Sequence, residues 1–254
     1  MNKAFDQDRE NPSTILPLTT AQEAIYVAHL LDNSEISFNI AHYREINGEI
    51  DADLLSKAIG LVVEKTPAYR SVVKIIDDFP CLEVKSSVDN TLTLVDLSKE
   101  LRPDAAAKLW MHQESRKSFN LARYPLFKFI LIKIGPVQFY LFSCIHHIIA
   151  DAAGAYQCER NVFEVYAALI REEQVDVPEG LDQALKLEEI YKTSLAFKVD
   201  QAFWKGELSG IDQQISLSCR SSVSDKLFYR ARAELSDYEL FSFKEFCYKN
   251  KFSL

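Results

Sequence analysis

Two adjacent histidines and an aspartate stand close together near the middle of the chain. His146 and His147 end an apolar run, and Asp151 follows His147 by four residues. Histidine has the unperturbed side-chain pKa closest to neutral, so an imidazole can accept a proton from an amine or hydroxyl nucleophile. Asp151 could orient that imidazole, pair with a buried arginine or cap a following helix. These residue types therefore indicate chemistry assisted by a base.

The residues on either side predict a corner between a strand and a helix. Residues 137–145 are β-branched and aromatic, whereas helical spacing begins after Asp151. Successive strand side chains point to opposite faces, so we expect one histidine to reach a cleft and the other to pack inward. No further His/Cys cluster is nearby, which disfavours a metal site. The structural alternative is a core histidine and an aspartate that only caps a helix.

Composition excludes several classes of protein. The net charge of −8 argues against nucleic acid as the main partner, and no apolar run reaches the roughly 18 residues of a membrane span. The N-terminus has no signal-peptide hydrophobic segment. The five cysteines are scattered without a CxxC pair, which predicts a reduced, cytoplasmic location. A hydrophobic content of 48% is sufficient for a large core.

Helical and strand patterns alternate along the chain and predict helices packed on a mixed β-sheet. A loose tail ends near Ser13, and Thr19 or Thr20 caps a first helix that ends near Leu31. The other predicted helices are 51–66, 98–117, 153–168, 181–208 and 236–249, the last capped by Ser236. The predicted strands are 38–47, 69–76, 81–84, 91–96, 128–134, 137–145 and 226–235.

The segment His146-His147-Ile-Ile-Ala-Asp151-Ala152 resembles the HHxxxDG signature of condensation domains of nonribosomal peptide synthetases. Its shorter part, His147-xxx-Asp151, resembles the pattern of the wider chloramphenicol-acetyltransferase-like acyltransferases. One position departs from the family, because Ala152 stands where the family usually has glycine.

Weaker resemblances follow in the family's order along the whole chain. Thr20-Ala21-Gln22 is similar to the first condensation motif, and Arg70 is what survives of the second. Residues 118–127 and 200–208 resemble two later family segments. The likeness is closest to condensation domains of siderophore synthetases. His29 and His42 lie outside any family motif, and we interpret both as structural.

The resemblance implies an α/β (α+β) mixed-sheet sandwich, a chloramphenicol-acetyltransferase-like lobe. It predicts a flexible tail at 1–13, an N-terminal lobe at 14–173, a connector with an amphipathic helix at 174–225 and the truncated start of a second lobe at 226–254. The chain is then interpreted as part of a longer parent protein. If Met1 is the native start, the donor carrier is expected to arrive in trans.

The resemblance also implies a reaction. An acyl or peptidyl thioester on one carrier protein would be attacked by the amine of an aminoacyl thioester on another, both held by phosphopantetheine. His147 would act as base or orienting residue, His146 and Asp151 would hold the local geometry, and Ala152 and Gly154 would line the substrate channel. Arg70 is expected to have a structural role or form an ion pair.

Other expectations concern cofactors and partners. No directly bound cofactor or metal is expected. Partners are donor and acceptor carrier proteins, with adenylation and carrier domains downstream in the parent, and neither nucleic acid nor a membrane. The chain alone is predicted to be inactive. Two alternatives stay open: an acyltransferase that uses soluble acyl-CoA, and a catalytically silent docking module of the same fold.

Overall fold

The computed structural model describes residues 13–31, 36–88, 92–173, 181–211 and 233–253. The chain divides into two compact units, Met1–Ser209 and Gly210–Leu254. The predicted strand at 226–235 lies mostly outside the described residues, and the predicted boundaries at 173 and 225 stay a prediction.

Seven strands form two sheets in the described residues of the first unit. In chain order they are β1 (Ser13–Pro17), β2 (Asn39–Asn47), β3 (Ser71–Ile76), β4 (Phe79–Lys85), β5 (Thr93–Asp96), β6 (Phe127–Gly135) and β7 (Gln138–His146). One sheet has the order β1-β4-β3 and is antiparallel. The other has the order β2-β7-β6-β5, in which only the β5–β6 pair is parallel. The expected mixed sheet is therefore confirmed, with a second, antiparallel sheet beside it.

The two central strands of the mixed sheet explain where the core lies. Almost every residue of β6 and β7 is buried or half-buried, including Ile132, Leu141 and Ile145. Strands covered on both faces carry continuous apolar runs instead of alternating ones. β7 ends at His146, so the catalytic candidates stand at the end of the most enclosed strand.

Seven helices are described. They are α1 (Thr20–Leu31), α2 (Ala52–Lys65), α3 (Pro103–Ser115), α4 (Ala152–Ile170), α5 (Leu181–Thr193), α6 (Leu195–Glu207) and α7 (Asp237–Lys249). α2 and α4 contact each other, and their apolar faces join the mixed sheet in one core cluster. Asp51 caps α2 by accepting hydrogen bonds from the backbone of Asp53 and Leu54, as the predicted start at residue 51 requires.

Three local predictions need correction. The chain forms a 3₁₀ turn over Pro67–Arg70 and becomes a strand only at Ser71. The helix predicted over 181–208 is broken, because Ser194 leaves the helical conformation and its hydroxyl accepts a hydrogen bond from Phe197 N–H, which starts α6. β1 was not predicted, since its five residues gain their strand partners only from distant β4.

The second unit is described at residues 210–211 and 233–253. Its helix α7 begins with a capping box, in which Ser236 and Glu239 each accept a hydrogen bond from the other's backbone N–H. This confirms the predicted cap at Ser236. Among the described residues of both units, no helix is long and apolar enough to cross a membrane.

Candidate active site

The two histidines lie where β7 passes through a tight turn into α4. The backbone of this turn is held by neighbouring segments: His146 N–H donates to Leu126 O at 2.9 Å and His147 N–H donates to Phe38 O at 2.8 Å. Ile149 N–H closes the turn by donating to His146 O at 3.1 Å. The position of the turn is therefore set by the ends of neighbouring strands.

His146 is fully buried and has a partner at each ring nitrogen. Its Nδ1 accepts a hydrogen bond from Ile148 N–H at 3.1 Å, and its Nε2 lies 3.3 Å from Nδ1 of His29. The rings of Phe38 and Phe119 pack around it. Burial, followed by the electrostatic influence of the nearby His29 and His147 rings, lowers the pKa of His146 to about 3. A group that stays neutral and is enclosed in this way holds geometry and does not exchange protons with substrate.

His147 lies one residue beyond β7, in the turn, and has a different environment. Because the strand does not continue through both histidines, alternation along a strand does not account for this difference. His147 is only half-buried, whereas His146 is enclosed. Its Nδ1 is buried and has no hydrogen-bond partner among the described residues. Its Nε2, in contrast, is not a buried atom that lacks a partner. Of the two imidazoles, His147 is therefore the one that is not fully enclosed. Its position on a cleft stays a prediction.

Asp151 caps α4. Its Oδ1 accepts a hydrogen bond from Gly154 N–H at 2.7 Å, and its carbonyl accepts one from Ala155 N–H at 2.8 Å. Of the options open from the sequence, the structure shows the cap. The carboxylate is exposed, and no arginine pairs with it in the part of the chain that the structure describes.

The two channel candidates lie in the first turn of α4. Ala152 is the first helical residue, and both it and Gly154 are exposed. A Cβ on Gly154 would stand 3.3 Å from Asp151 Oδ1 and 3.4 Å from the Cβ of Ala150. Gly154 thus leaves the capping carboxylate room to approach the helix. The role of both residues in a substrate channel stays a prediction.

Arg70 lies apart from this site and is tied to main-chain carbonyls. Its Nη1 donates to Lys85 O and, at 3.2 Å, to Ser86 O, which joins the 3₁₀ turn to the end of β4. Its Nε is buried without a hydrogen-bond partner in the described chain. Of the two expectations for Arg70, the geometry favours the structural one, since the described residues offer it no carboxylate in an ion pair.

Two residues of α1 contact the turn directly. Gln22 closes a capping box with Thr19, and its Nε2 donates to Ile148 O at 3.0 Å. His29 follows Gln22 by seven residues, which is two helical turns, so both side chains reach the turn from one face of α1. The motif around Gln22 was recognised from sequence, but its contact with the turn and the contact of His29 with His146 were not.

A second polar cluster ties α4 to the mixed sheet. Glu159 is buried on α4, with Oε2 at 2.9 Å from His42 Nε2 and Oε1 at 3.1 Å from Arg44 Nε. Ser143 Oγ lies 3.0 Å from the same His42 nitrogen. A catalytic relay needs one partner at each imidazole nitrogen, so this cluster is structural, as expected for His42. The hint in the sequence is that His42 and Arg44 alternate along β2 and share a face.

The described fold is an α/β lobe with a histidine turn at the end of its central strand, and comparison with known proteins identifies the family. The model of the condensation domain family matches residues 13–253. The chain therefore belongs to the condensation domain family.

The relatives are peptide synthetases. An isonitrile lipopeptide synthase of Streptomyces coeruleorubidus is 30% identical over 86% of this chain and 15% of its own length. A dimodular nonribosomal peptide synthase of Bacillus subtilis is 29% identical over 90% of this chain and 10% of its own. Enterobactin synthase component F of Escherichia coli O157:H7 is 28% identical over 88% of this chain and 18% of its own length. The resemblance read from the motifs, siderophore synthetases included, is confirmed.

Solved structures agree on the fold. A variant of the starter condensation domain of rhizomide synthetase RzmA, in complex with C8-CoA and Leu-SNAC, superposes with a TM-score of 0.75 at 27% identity. The first condensation domain of the calcium-dependent antibiotic synthetase superposes with a TM-score of 0.73 at 25% identity. The chain covers 48% and 50% of these two chains, so it spans about half the length of the solved domains it matches.

Proposed function

We propose that this chain provides the histidine-bearing half of a condensation domain that forms an amide bond between two carrier-bound thioesters. The observation that carries the proposal is the difference in burial between the two histidines of the turn. His146 is enclosed and neutral, and His147 is the imidazole left with an accessible nitrogen. Family membership supports the reaction class.

In the proposed reaction the amine of an aminoacyl thioester attacks the carbonyl carbon of the donor thioester. The C–N bond forms, the C–S bond breaks, and the sulfur leaves on the donor phosphopantetheine. The amine must lose a proton, which His147 Nε2 accepts or, if His147 only orients the amine, the departing thiolate does. Either role needs the lone pair of His147 on Nε2, and so places the ring proton on Nδ1.

That tautomer has a structural consequence. Nδ1 of His147 is buried and has no acceptor among the described residues, and a buried unpaired N–H costs about 1–3 kcal/mol. We expect the acceptor to come from outside those residues. The half of the domain that this chain does not cover is the natural source, since the chain matches only about half of the solved domains.

The same coverage leads us to expect little condensation from the 254 residues alone. Holding two thioester-linked reactants at reacting distance contributes on the order of 7–11 kcal/mol in favourable cases. We expect this positioning to need both halves of the domain, whereas a lone acid–base residue contributes roughly 10²–10⁴-fold.

The test uses donor and acceptor carrier proteins loaded chemically with acyl and aminoacyl thioesters. They are incubated with this chain and with the complete synthetase that contains it. Amide product from the synthetase that disappears with His147→Ala supports the proposal, and product that survives this substitution contradicts it. Product from the 254-residue chain at a rate near that of the synthetase would contradict the need for the second half.

One observation favours a second candidate, an acyl donor carried by coenzyme A. The structurally similar starter condensation domain of rhizomide synthetase RzmA was solved in complex with C8-CoA. Adding an acyl-CoA in place of the acylated carrier distinguishes the two donors. If neither donor gives product and the chain still binds carrier proteins, the silent docking module is supported instead.

The proposed setting is the cytoplasm, with adenylation and carrier domains downstream in the parent. Of the five cysteines, the four in the described residues are all free, which supports a reducing compartment. The proposed partners are the donor and acceptor carriers.

A further inference from the structure

His29 of α1 contacts His146, the fully buried histidine of the turn. Its Nδ1 lies 3.3 Å from Nε2 of His146, and the two ring centroids are 5.1 Å apart with the rings nearly perpendicular. His29 itself is half-buried and lines a cavity of about 470 Å³ together with Ser118 and Asn120. It is therefore the outer member of an imidazole pair whose inner member is sealed in the core.

The hydrogen bonds around His146 determine which nitrogen carries its proton. Ile148 N–H points at Nδ1 of His146 from 3.1 Å, and a backbone N–H can only donate, so Nδ1 must hold a lone pair. A neutral imidazole then carries its proton on Nε2, which donates to His29 Nδ1. The low pKa of His146 agrees with a single, neutral state.

The reverse assignment fails on the same contacts. If His29 Nδ1–H donated to His146 Nε2, the proton of His146 would sit on Nδ1 and face Ile148 N–H. Two donors would then meet inside the core, and the amide of the turn would lose its acceptor. His29 thus supplies the acceptor that makes the observed turn compatible with a neutral His146.

We propose that His29 is a positioning residue of the condensation site, which fixes the tautomer of His146 and through it the backbone turn that carries His147. This inference rests on the proposed function. In this proposal His29 contacts neither substrate nor reacting atoms. Its effect passes through the hydrogen bond between His146 Nδ1 and Ile148 N–H, which fixes the backbone of His147. Gln22, also on α1, holds the same turn by donating a hydrogen bond to Ile148 O.

The first experiment reads the tautomer directly and does not depend on catalysis. The 254-residue chain is labelled with ¹⁵N-histidine, and long-range ¹H–¹⁵N correlation at neutral pH reports which nitrogen of each ring is protonated. Wild-type His146 is expected as the Nε2–H form. In His29→Leu the pure Nε2–H signature is lost and the Ile148 amide exchanges with solvent at least about tenfold faster.

Two variants make the result specific. His29→Asn places a carbonyl oxygen where Nδ1 stood, so it should restore both the tautomer and the Ile148 protection. His112→Leu removes an exposed histidine of α3 and should change neither. A wild-type His146 in the Nδ1–H form overturns the proposal, and so does an unchanged His146 tautomer and Ile148 protection in folded His29→Leu. If His29→Leu does not fold, failure of His29→Asn to retain the Nε2–H form overturns it.

The second experiment measures carrier-dependent condensation by the complete synthetase. His29→Leu is expected to lower kcat by up to about 10²-fold while KM for both loaded carriers changes little, because a misplaced catalytic group slows the chemical step. His29→Asn should recover most of this loss. Equal loss in the Leu and Asn variants contradicts the positioning role. Activity that survives His147→Ala while the tautomer results hold would instead overturn the proposed function alone.

Discussion

The two sides of the histidine turn differ sharply in how they are held. On the inner side, His146 has a partner at each nitrogen and aromatic rings around it. On the outer side, His147 is half-buried, and its Nδ1 has no partner within the described part of the chain. Exposed Asp151 makes one capping contact through its side chain. Most of the described side-chain contacts that hold the turn therefore lie on its inner side.

This contrast teaches where substitutions should act. Changes on the inner side remove buried contacts and should reduce the free energy of unfolding. Changes at His147 remove little packing and should reduce turnover. The following predictions test that separation, beginning with the largest expected effect.

The largest effect is expected from His147→Ala in the complete synthetase. Loss of the accessible imidazole should slow condensation by about 10²–10⁴-fold, since this is the usual contribution of a positioned acid–base group. Carrier-dependent product formation measures the rate, and denaturant unfolding of the 254-residue chain should differ from wild type by less than about 1 kcal/mol. A large loss of stability with an unchanged rate would reverse the assignment of the two sides.

His146→Ala should instead destabilise the chain by about 3 kcal/mol. The substitution empties a fully enclosed site and leaves Ile148 N–H without its acceptor. Urea unfolding of the chain measures the change, with exposed His112→Ala as the matched control. A value within about 0.5 kcal/mol of wild type would show that His146 is not held as described.

Acid should destabilise the chain through His146. Its folded pKa of about 3 lies below the usual value of 6.5, so the unfolded state binds the extra proton as the pH falls through 6.5. Stability should therefore drop by up to about 1.4 kcal/mol per pH unit between pH 6.5 and 3. Urea titrations from pH 7 to 4.5 measure the slope above the range where most carboxylates titrate. The same slope in His146→Phe would assign it to other groups.

The smallest effect is expected at the helix cap. Asp151→Ala removes the acceptor for Gly154 N–H and should cost about 1 kcal/mol, whereas Asp151→Asn keeps a capping oxygen and should cost a few tenths. Thermal unfolding of the chain compares the two. If both variants retain stability but lose condensation in the synthetase, the carboxylate has a direct role in the site beyond the cap.

Local sequence patterns determined the elements that build the corner. The β-branched and aromatic run of 137–145 became β7, and the change to helical spacing after Asp151 became α4 with the aspartate as its cap. These features follow from neighbouring residues, because strand alternation and helix capping operate over one to four positions. Alternation along the strand does not extend to His147, because β7 ends at His146.

Only the tertiary structure decided which side chains hold the corner. His29 is 117 residues from His146, and Glu159 is 117 residues from His42, yet each pair is in contact. β1 became a strand only because β4 lies beside it. Such contacts depend on how helices and sheets pack, and residue spacing along the chain carries no information about a partner so far away.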